Sequence, residues 1–171
     1  MRILSYIIFY KTKIFYKVKN ISVRKALESD VSLVFQWRNE PEIVALSDKQ
    51  VNVSWNEHEV WFKKKINCIL SDFLIIDVDQ EPVGVIRFDP VENNATIYDV
   101  SIYLMGRNKG KNIGSIALKK AMHELVNQRN ICALHARIRC ENRISIKFFE
   151  SLGFNFLHTD GNIDLYIYEV V

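Results

Sequence analysis

The chain has 171 residues, 49% of them hydrophobic and 25% charged, with 23 Lys and Arg against 20 Asp and Glu. That composition fits one globular domain burying roughly two-thirds of its unfolded surface, and excludes a disordered chain. The net charge of +3 suits an anionic small molecule and is no nucleic-acid footprint, because lysines and acids interleave along the chain.

Residues 1–20 (MRILSYIIFYKTKIFYKVKN) form an N-terminal extension. Its apolar run from Ile3 to Tyr10 is too short to span a bilayer, and no small-residue cleavage site of a secretory signal follows. Packing on the domain, or disorder, is expected in preference to a basic–aromatic segment touching a membrane face. Residues 21–27 alternate as a strand and run into Glu28-Ser29-Asp30, a helix-start signal. The helix that follows carries Val31, Val34, Phe35 and Trp37, and should stop near Asn39 because Pro41 restricts Glu40. Ser54 with Glu57 is a capping box that opens a helix from Trp55 to Asn67. Strand-like runs follow at Phe73–Val78, Val83–Asp89 and Thr96–Leu104, separated by turn-rich residues 79–82 and 90–94. They predict an antiparallel meander.

After the loop Met105–Asn112, the spacing of Ile113, Ile116, Ala117, Ala121 and Leu125 predicts a helix over Ile113–Gln128. Leu134–Cys140 alternates as a strand, and Asn142 caps a short helix ending at Gly153. The final strands are Phe154–His158 and Ile163–Val170. Six glycines, three prolines and the lack of any repeat argue against a second domain. The order β α α β β β α β α β β predicts an α/β (α+β) domain, a mixed sheet of about seven strands flanked by four helices. Cys68, Cys132 and Cys140 lack CxxC spacing and supply no zinc set, so no metal is expected, and small apolar cysteines fit a reducing, cytoplasmic location. His123, His135 and His158 share no spacing and receive no role.

Lys109-Gly110-Lys111-Asn112-Ile113-Gly114-Ser115 lies between a strand and an amphipathic helix. Backbone N–H groups of such a loop and the positive end of the helix make a place for phosphate, and the two lysines add charge. It is neither a Walker loop, since Asn112 follows Lys111, nor GxGxxG, since its glycines are four apart. Taken alone, the segment reads equally as a ligand loop or an ordinary connection.

KGKNIGS, preceded by TIYDVSIYL, resembles the pyrophosphate loop of the GNAT N-acetyltransferases (Arg/Gln-x-x-Gly-x-Gly/Ala), with Lys109 and Asn112 as departures. Asn142 to Phe154 (NRISIKFFESLGF) is similar to that family's Asn-x-x-Ala/Ser-x-x-x-Tyr/Phe-x-x-x-Gly-Phe segment, every spacing intact. The resemblance covers residues 21–170 and implies that residues 21–171 are an N-acetyltransferase domain using acetyl-CoA. It implies a cofactor opening between the strands Thr96–Leu104 and Leu134–Cys140. Ile102, Tyr103 and Leu104 would contact the pantetheine arm through their backbones, Lys109 to Ser115 the pyrophosphate, and Asn142 and Phe149 the cofactor from the last helix. Asp99 is the best-placed base for the attacking amine, with Ser101 and Tyr98 as neighbours and Asp89 and Glu57 as rivals. Its competing reading is a solvent-facing strand carboxylate, decided by one residue of register. The family's usual tyrosine acid is Phe149 here, which leaves Cys140, Tyr103, a water or no acid to serve the thiolate.

Residues 33–43 (LVFQWRNEPEI) and 54–62 (SWNEHEVWF) resemble, more narrowly, the aminosugar acetyltransferases of nonulosonic acid synthesis, which act on the 4-amino group of a UDP-aminosugar. That implies a sugar-nucleotide acceptor contacted by Trp37, Arg38, Asn39, His58 and Arg87, the arginines on the diphosphate. By their helical spacing, core packing is the favoured reading of Trp37, Trp61 and Phe62, and a helix-face position is favoured for His58 over a substrate contact. An N-acetyltransferase of a protein N-terminus, polyamine or antibiotic amine, and a non-catalytic acyl-CoA-binding regulator, stay open. No nucleic acid and no stable membrane insertion are expected, and the oligomeric state is open between monomer and homodimer.

Overall fold

The computed structural model describes residues 20–47, 50–92 and 94–170. The expectation for the N-terminal extension therefore lies outside the described residues, apart from Asn20. Seven strands form one sheet, β1 (Ile21–Lys25), β2 (Asp72–Val78), β3 (Glu81–Val91), β4 (Asn94–Leu104), β5 (Ala133–Arg139), β6 (Asn155–Asp160) and β7 (Ile163–Glu169). Their spatial order is β1-β2-β3-β4-β5-β7-β6. Every neighbouring pair is antiparallel except β4 and β5.

Among the described residues there are five α-helices: α1 (Val31–Arg38), α2 (Pro41–Leu46), α3 (Trp55–Ile66), α4 (Ile113–Gln128) and α5 (Arg143–Ser151). Four were expected. The fifth arises because Pro41, which ends α1, occupies the first turn of α2, where a missing N–H and a fixed φ cost nothing. The Ser54–Glu57 capping box opens α3 as expected, with the Ser54 hydroxyl donating to Glu57 Oε2 at 2.7 Å.

Alternation along the strands divides the core in two. Leu74, Ile76, Ile86, Tyr98 and Val100 pack with α4 and α5 on one face of the sheet. Phe73, Ile75 and Val85 pack with Val34, Trp37 and Phe62 of α1 and α3 on the other. Because helices cover both faces of β2, all seven of its residues are buried. The buried stripe of α4 is Ile113, Gly114, Ala117, Leu118, Ala121, Met122 and Leu125; Ile116, expected within it, is 37% exposed.

The β2–β3 connection is tighter than residues 79–82 suggested. Val78 pairs with Glu81, leaving Asp79 (φ 53°) and Gln80 (φ 72°) as a two-residue hairpin turn. Gly84 on β3 sits opposite Leu104, and a Cβ there would fall 2.3 Å from the Tyr103 carbonyl oxygen. Its lack of a side chain lets β3 hold the end of β4. Gly84→Ala is expected to destabilise the protein by about 1–3 kcal/mol, read as a lowered urea midpoint; an unchanged midpoint would refute that close approach.

Candidate active site

The ladder between β4 and β5 covers only Ile97, Tyr98 and Asp99 opposite Ala133, Leu134 and His135. Beyond Asp99, β4 continues to Leu104 paired only with β3, and β5 continues to Arg139 paired only with β7. The two strands therefore part at Asp99. They leave backbone N–H and C=O groups on the inner edge of Val100–Leu104 without a strand partner, and a ligand with amide groups can add there as a strand would.

The chain leaves β4 through a 3₁₀ turn, Gly106–Asn108, and enters α4 at Asn112. Asn112 takes φ 60°, the left-handed region that glycine occupies freely and Asn tolerates. Its side chain makes no cap to the helix, so the first N–H groups of α4 remain available. Gly114 follows on the buried side, where a Cβ would lie 3.3 Å from the Phe148 ring and 3.4 Å from Leu104. Lys111 is exposed, whereas Lys109 is ion-paired with Glu42 of α2. A cleft of about 620 Å³ opens there, lined by Glu40, Pro41, Ile43, Met105, Asn108 and Lys109 among others. The Asn142 side-chain Oδ1 accepts from the Ser145 N–H at 3.1 Å and caps α5. Cap and loop residues thus surround one end of the parted strands.

The register also settles which side chains share a face. Asp99 stands opposite Asp89 and Ser101 opposite Arg87, so all four lie on the α1–α3 face, with Tyr103 two residues on. Asp89 is occupied: Lys65 of α3 reaches it at 2.5 Å and Arg87 Nε at 3.4 Å. Asp99 has no hydrogen bond or ion pair within the limits of contact among the described residues. Burial raises its carboxyl above the ordinary carboxylate value; His135 and Arg137 oppose that shift, and Asp89 adds to it. A carboxylate with a raised pKa and no fixed partner can take a proton from an amine.

The Arg87 guanidinium lies 5.2 Å from the Trp61 ring, and its buried Nε makes no hydrogen bond. Arg38 donates from Nη2 to the Ser47 hydroxyl at 3.3 Å, while its buried Nη1 makes none. Both arginines act electrostatically on the Tyr103 phenol, which burial nonetheless pushes well above its usual value. Two buried cationic donors beside an aromatic face suit an anionic ligand.

Several expected site residues lie elsewhere. His58 is 2% exposed, with Nε2 3.2 Å from the Val31 carbonyl and its ring packed against Phe35, Trp61 and Phe62. It joins α3 to α1. Trp37 is buried in the same core, edge-on to Tyr103. Asn39 exchanges two hydrogen bonds with the Val53 backbone and fastens the loop before α3. Phe149 is buried, with its ring between those of Phe148 and Phe154. Tyr98 turns to the α4 face and accepts from Arg129 at 3.0 Å, away from Asp99. Cys140 donates to Asp164 Oδ1 at 3.2 Å, and Glu57 serves the cap of α3.

One residue that spacing could not find is His135, the register partner of Asp99 on β5. Its signal is tertiary, because the two lie 36 positions apart, with loop, helix and strand between them. Among the described residues, no group of three or more His, Cys, Asp or Glu could hold a metal ion, and no helix is long and apolar enough to cross a membrane.

Residues 20–155 match the acetyltransferase (GNAT) domain model. Over 168 residues, 94% of this chain, the sequence is 27% identical to an uncharacterized protein of Methanocaldococcus jannaschii, and spans 33% of that protein's length. Over 144 residues it is 24% identical to acetyltransferase PseH of Campylobacter jejuni, covering 84% of this chain and 87% of the relative. The crystal structure of a domain from Methanocaldococcus jannaschii has a TM-score of 0.78 at 25% identity, covering 90% of this chain and all of that one. The fold is also that of yncA from Salmonella typhimurium, solved with its cofactor acetyl-CoA, at a TM-score of 0.71 and 16% identity over 87% of this chain and 93% of that one.

Two outcomes follow from this geometry. Asn112→Val should cost about 1–2 kcal/mol in chemical denaturation, with Asn112→Gly nearly neutral; equal costs would contradict the left-handed conformation. The folded state holds the Asp99 proton more tightly than the unfolded chain does. Stability therefore falls as pH rises from the ordinary carboxylate range through the raised folded value. Asp99→Asn should remove that fall, so melting curves should show a Tm advantage over wild type that grows across this window and persists at neutral pH. A lower Tm for the variant at neutral pH would contradict the burial argument.

Proposed function

This chain belongs to the GNAT acetyltransferase family, and from that premise we propose that it transfers the acetyl group of acetyl-CoA to a primary amine of an anionic acceptor, the 4-amino group of a UDP-aminosugar. The observation that carries the reading is the parting of β4 and β5 at an unpaired carboxylate. The residues around that opening fit the donor. The edge of Val100–Leu104 would pair with the pantetheine amides, and the uncapped start of α4 with Lys111 would take the pyrophosphate. Lys109 would join them once released from Glu42. A backbone N–H near Ile102–Leu104 would draw charge onto the thioester oxygen as the amine adds. The Asp99 carboxylate would take the proton that the attacking nitrogen must lose. The solved neighbour with bound acetyl-CoA supports the donor assignment.

The acceptor class rests on a different set of groups. Arg38 keeps a buried N–H without a hydrogen-bond partner, as a diphosphate would require, and Arg87, ion-paired with Asp89, lies against the Trp61 ring. Arg87 and Arg137 act electrostatically on Asp99, which suits an anionic acceptor better than a polyamine or a cationic antibiotic. The resemblance of residues 33–43 and 54–62 to aminosugar acetyltransferases points the same way. Ser101, exposed on β4, stands beside Asp99 and would face the acceptor.

CoA release measured with acetyl-CoA and a panel of UDP-4-aminosugars, peptide N-termini, polyamines and aminoglycosides tests the assignment. Turnover confined to the sugar nucleotides is expected, while a preference for peptides would overturn the acceptor class. Asp99→Asn should lower kcat by about 10²–10⁴-fold. Arg38→Ala and Arg87→Ala should each raise the KM for the sugar nucleotide by about tenfold or more, leaving the affinity for CoA unchanged. Measurable CoA binding without turnover on any amine would replace the enzyme by an acyl-CoA-binding regulator.

A further inference from the structure

We propose that His135 is the second member of the proton-accepting unit, receiving the acceptor's proton through Asp99 and returning it to solvent. The inference rests on the acetyltransferase reading and deepens it. Asp99 and His135 are the last paired residues before β4 and β5 separate, so their side chains stand on one face at the point where the opening begins. Neighbours on that face are open to solvent, with Ser101 exposed on β4 and Arg137 exposed on β5, and His135 itself is only partly buried. The imidazole therefore stands beside the partly buried carboxyl with its own access to bulk water.

The other histidines have no such place. His58 is buried between α1 and α3, His123 lies on α4 beside Asn127, and His158 lies on the edge strand β6. The charged groups facing the pair are Asp89 and Arg87 from β3 and Arg137 from β5, with Lys65 reaching Asp89 from α3; β7 presents Ile167 opposite His135. Asp89 is held by two cations, so Asp99 and His135 are the facing groups left to exchange protons.

The step balances as follows. The acceptor enters as an ammonium ion and loses one proton to Asp99 and then to His135, which releases it to solvent. The freed nitrogen lone pair forms the C–N bond, the C–S bond breaks, and the second nitrogen proton leaves with the sulfur. Ammonium and thioester become amide, thiol and one proton.

The test compares wild type, His135→Gln, His135→Ala and the control His123→Gln in kcat/KM against pH, with Tm and CoA affinity measured on each. His135→Gln should lose about tenfold to a hundredfold in kcat/KM, with the acid limb of its profile displaced to lower pH. Added imidazole should restore part of the activity of His135→Ala, and Tm, CoA affinity and the control should be unchanged. A His135→Gln variant with wild-type kcat/KM and an unmoved acid limb would overturn the inference. So would a loss that tracks Tm or CoA affinity and resists imidazole. A wild-type protein that turns over no amine would overturn the catalytic reading itself, and this inference with it, whereas an active wild type with an indifferent variant overturns His135 alone.

Discussion

Two parallel strands that hold together over three residue pairs and then separate set the conditions for everything else in this molecule. Inside a sheet, an unpaired strand edge is costly unless something supplies its hydrogen bonds. Here β3 and β7 secure the outer edges of β4 and β5, so the inner edges can stay apart without the sheet collapsing. Gly84 allows the β3 backbone to crowd the end of β4, which holds that strand on the β3 side. The opening is thus built into the sheet and does not depend on a mobile lid.

The same parting assigns different work to the two faces of the sheet. On the α4–α5 face, Tyr98, Val100, Leu134 and Ala136 bury apolar area and fix the start of α4 beside the strand end. That placement brings uncapped helical N–H groups, a left-handed Asn112 and exposed Lys111 to one end of the opening. On the opposite face the strands carry Arg87, Asp89, Asp99, Ser101, His135 and Arg137. Charge there is sorted by contact. Asp89 is ion-paired with Lys65 and Arg87, while Asp99, ten residues later and directly across the ladder, has no hydrogen bond or ion pair among the described residues and has its carboxyl raised by burial. Two aspartates on adjacent strands therefore differ in chemistry because α3 reaches one and not the other.

Much of this was legible in one dimension. Periodicity located all seven strands and the helix Ile113–Gln128, since a period of two or 3.6 follows from backbone geometry whatever the neighbours are. Asn112 had to accept a glycine conformation, and it does. Local signals failed where one residue had two uses. Pro41 marked the end of a helix and also began another. At His58, Trp37 and Asn39, polar and aromatic residues near a helix end read alike in the core and at a site, and burial and partners are what describe them further.

The sequence by itself therefore determined the elements, their order, the acetyltransferase motifs and the position of Asp99 on its strand, because each depends on residues close along the chain. Tertiary structure alone decided that Asp99 faces the α1–α3 side at the point of separation, that Asp89 is spent on Lys65, and that His135 stands across from it. Those facts turn on register and on contacts between distant segments, and a shift of one residue along the ladder would reverse the face of every side chain involved.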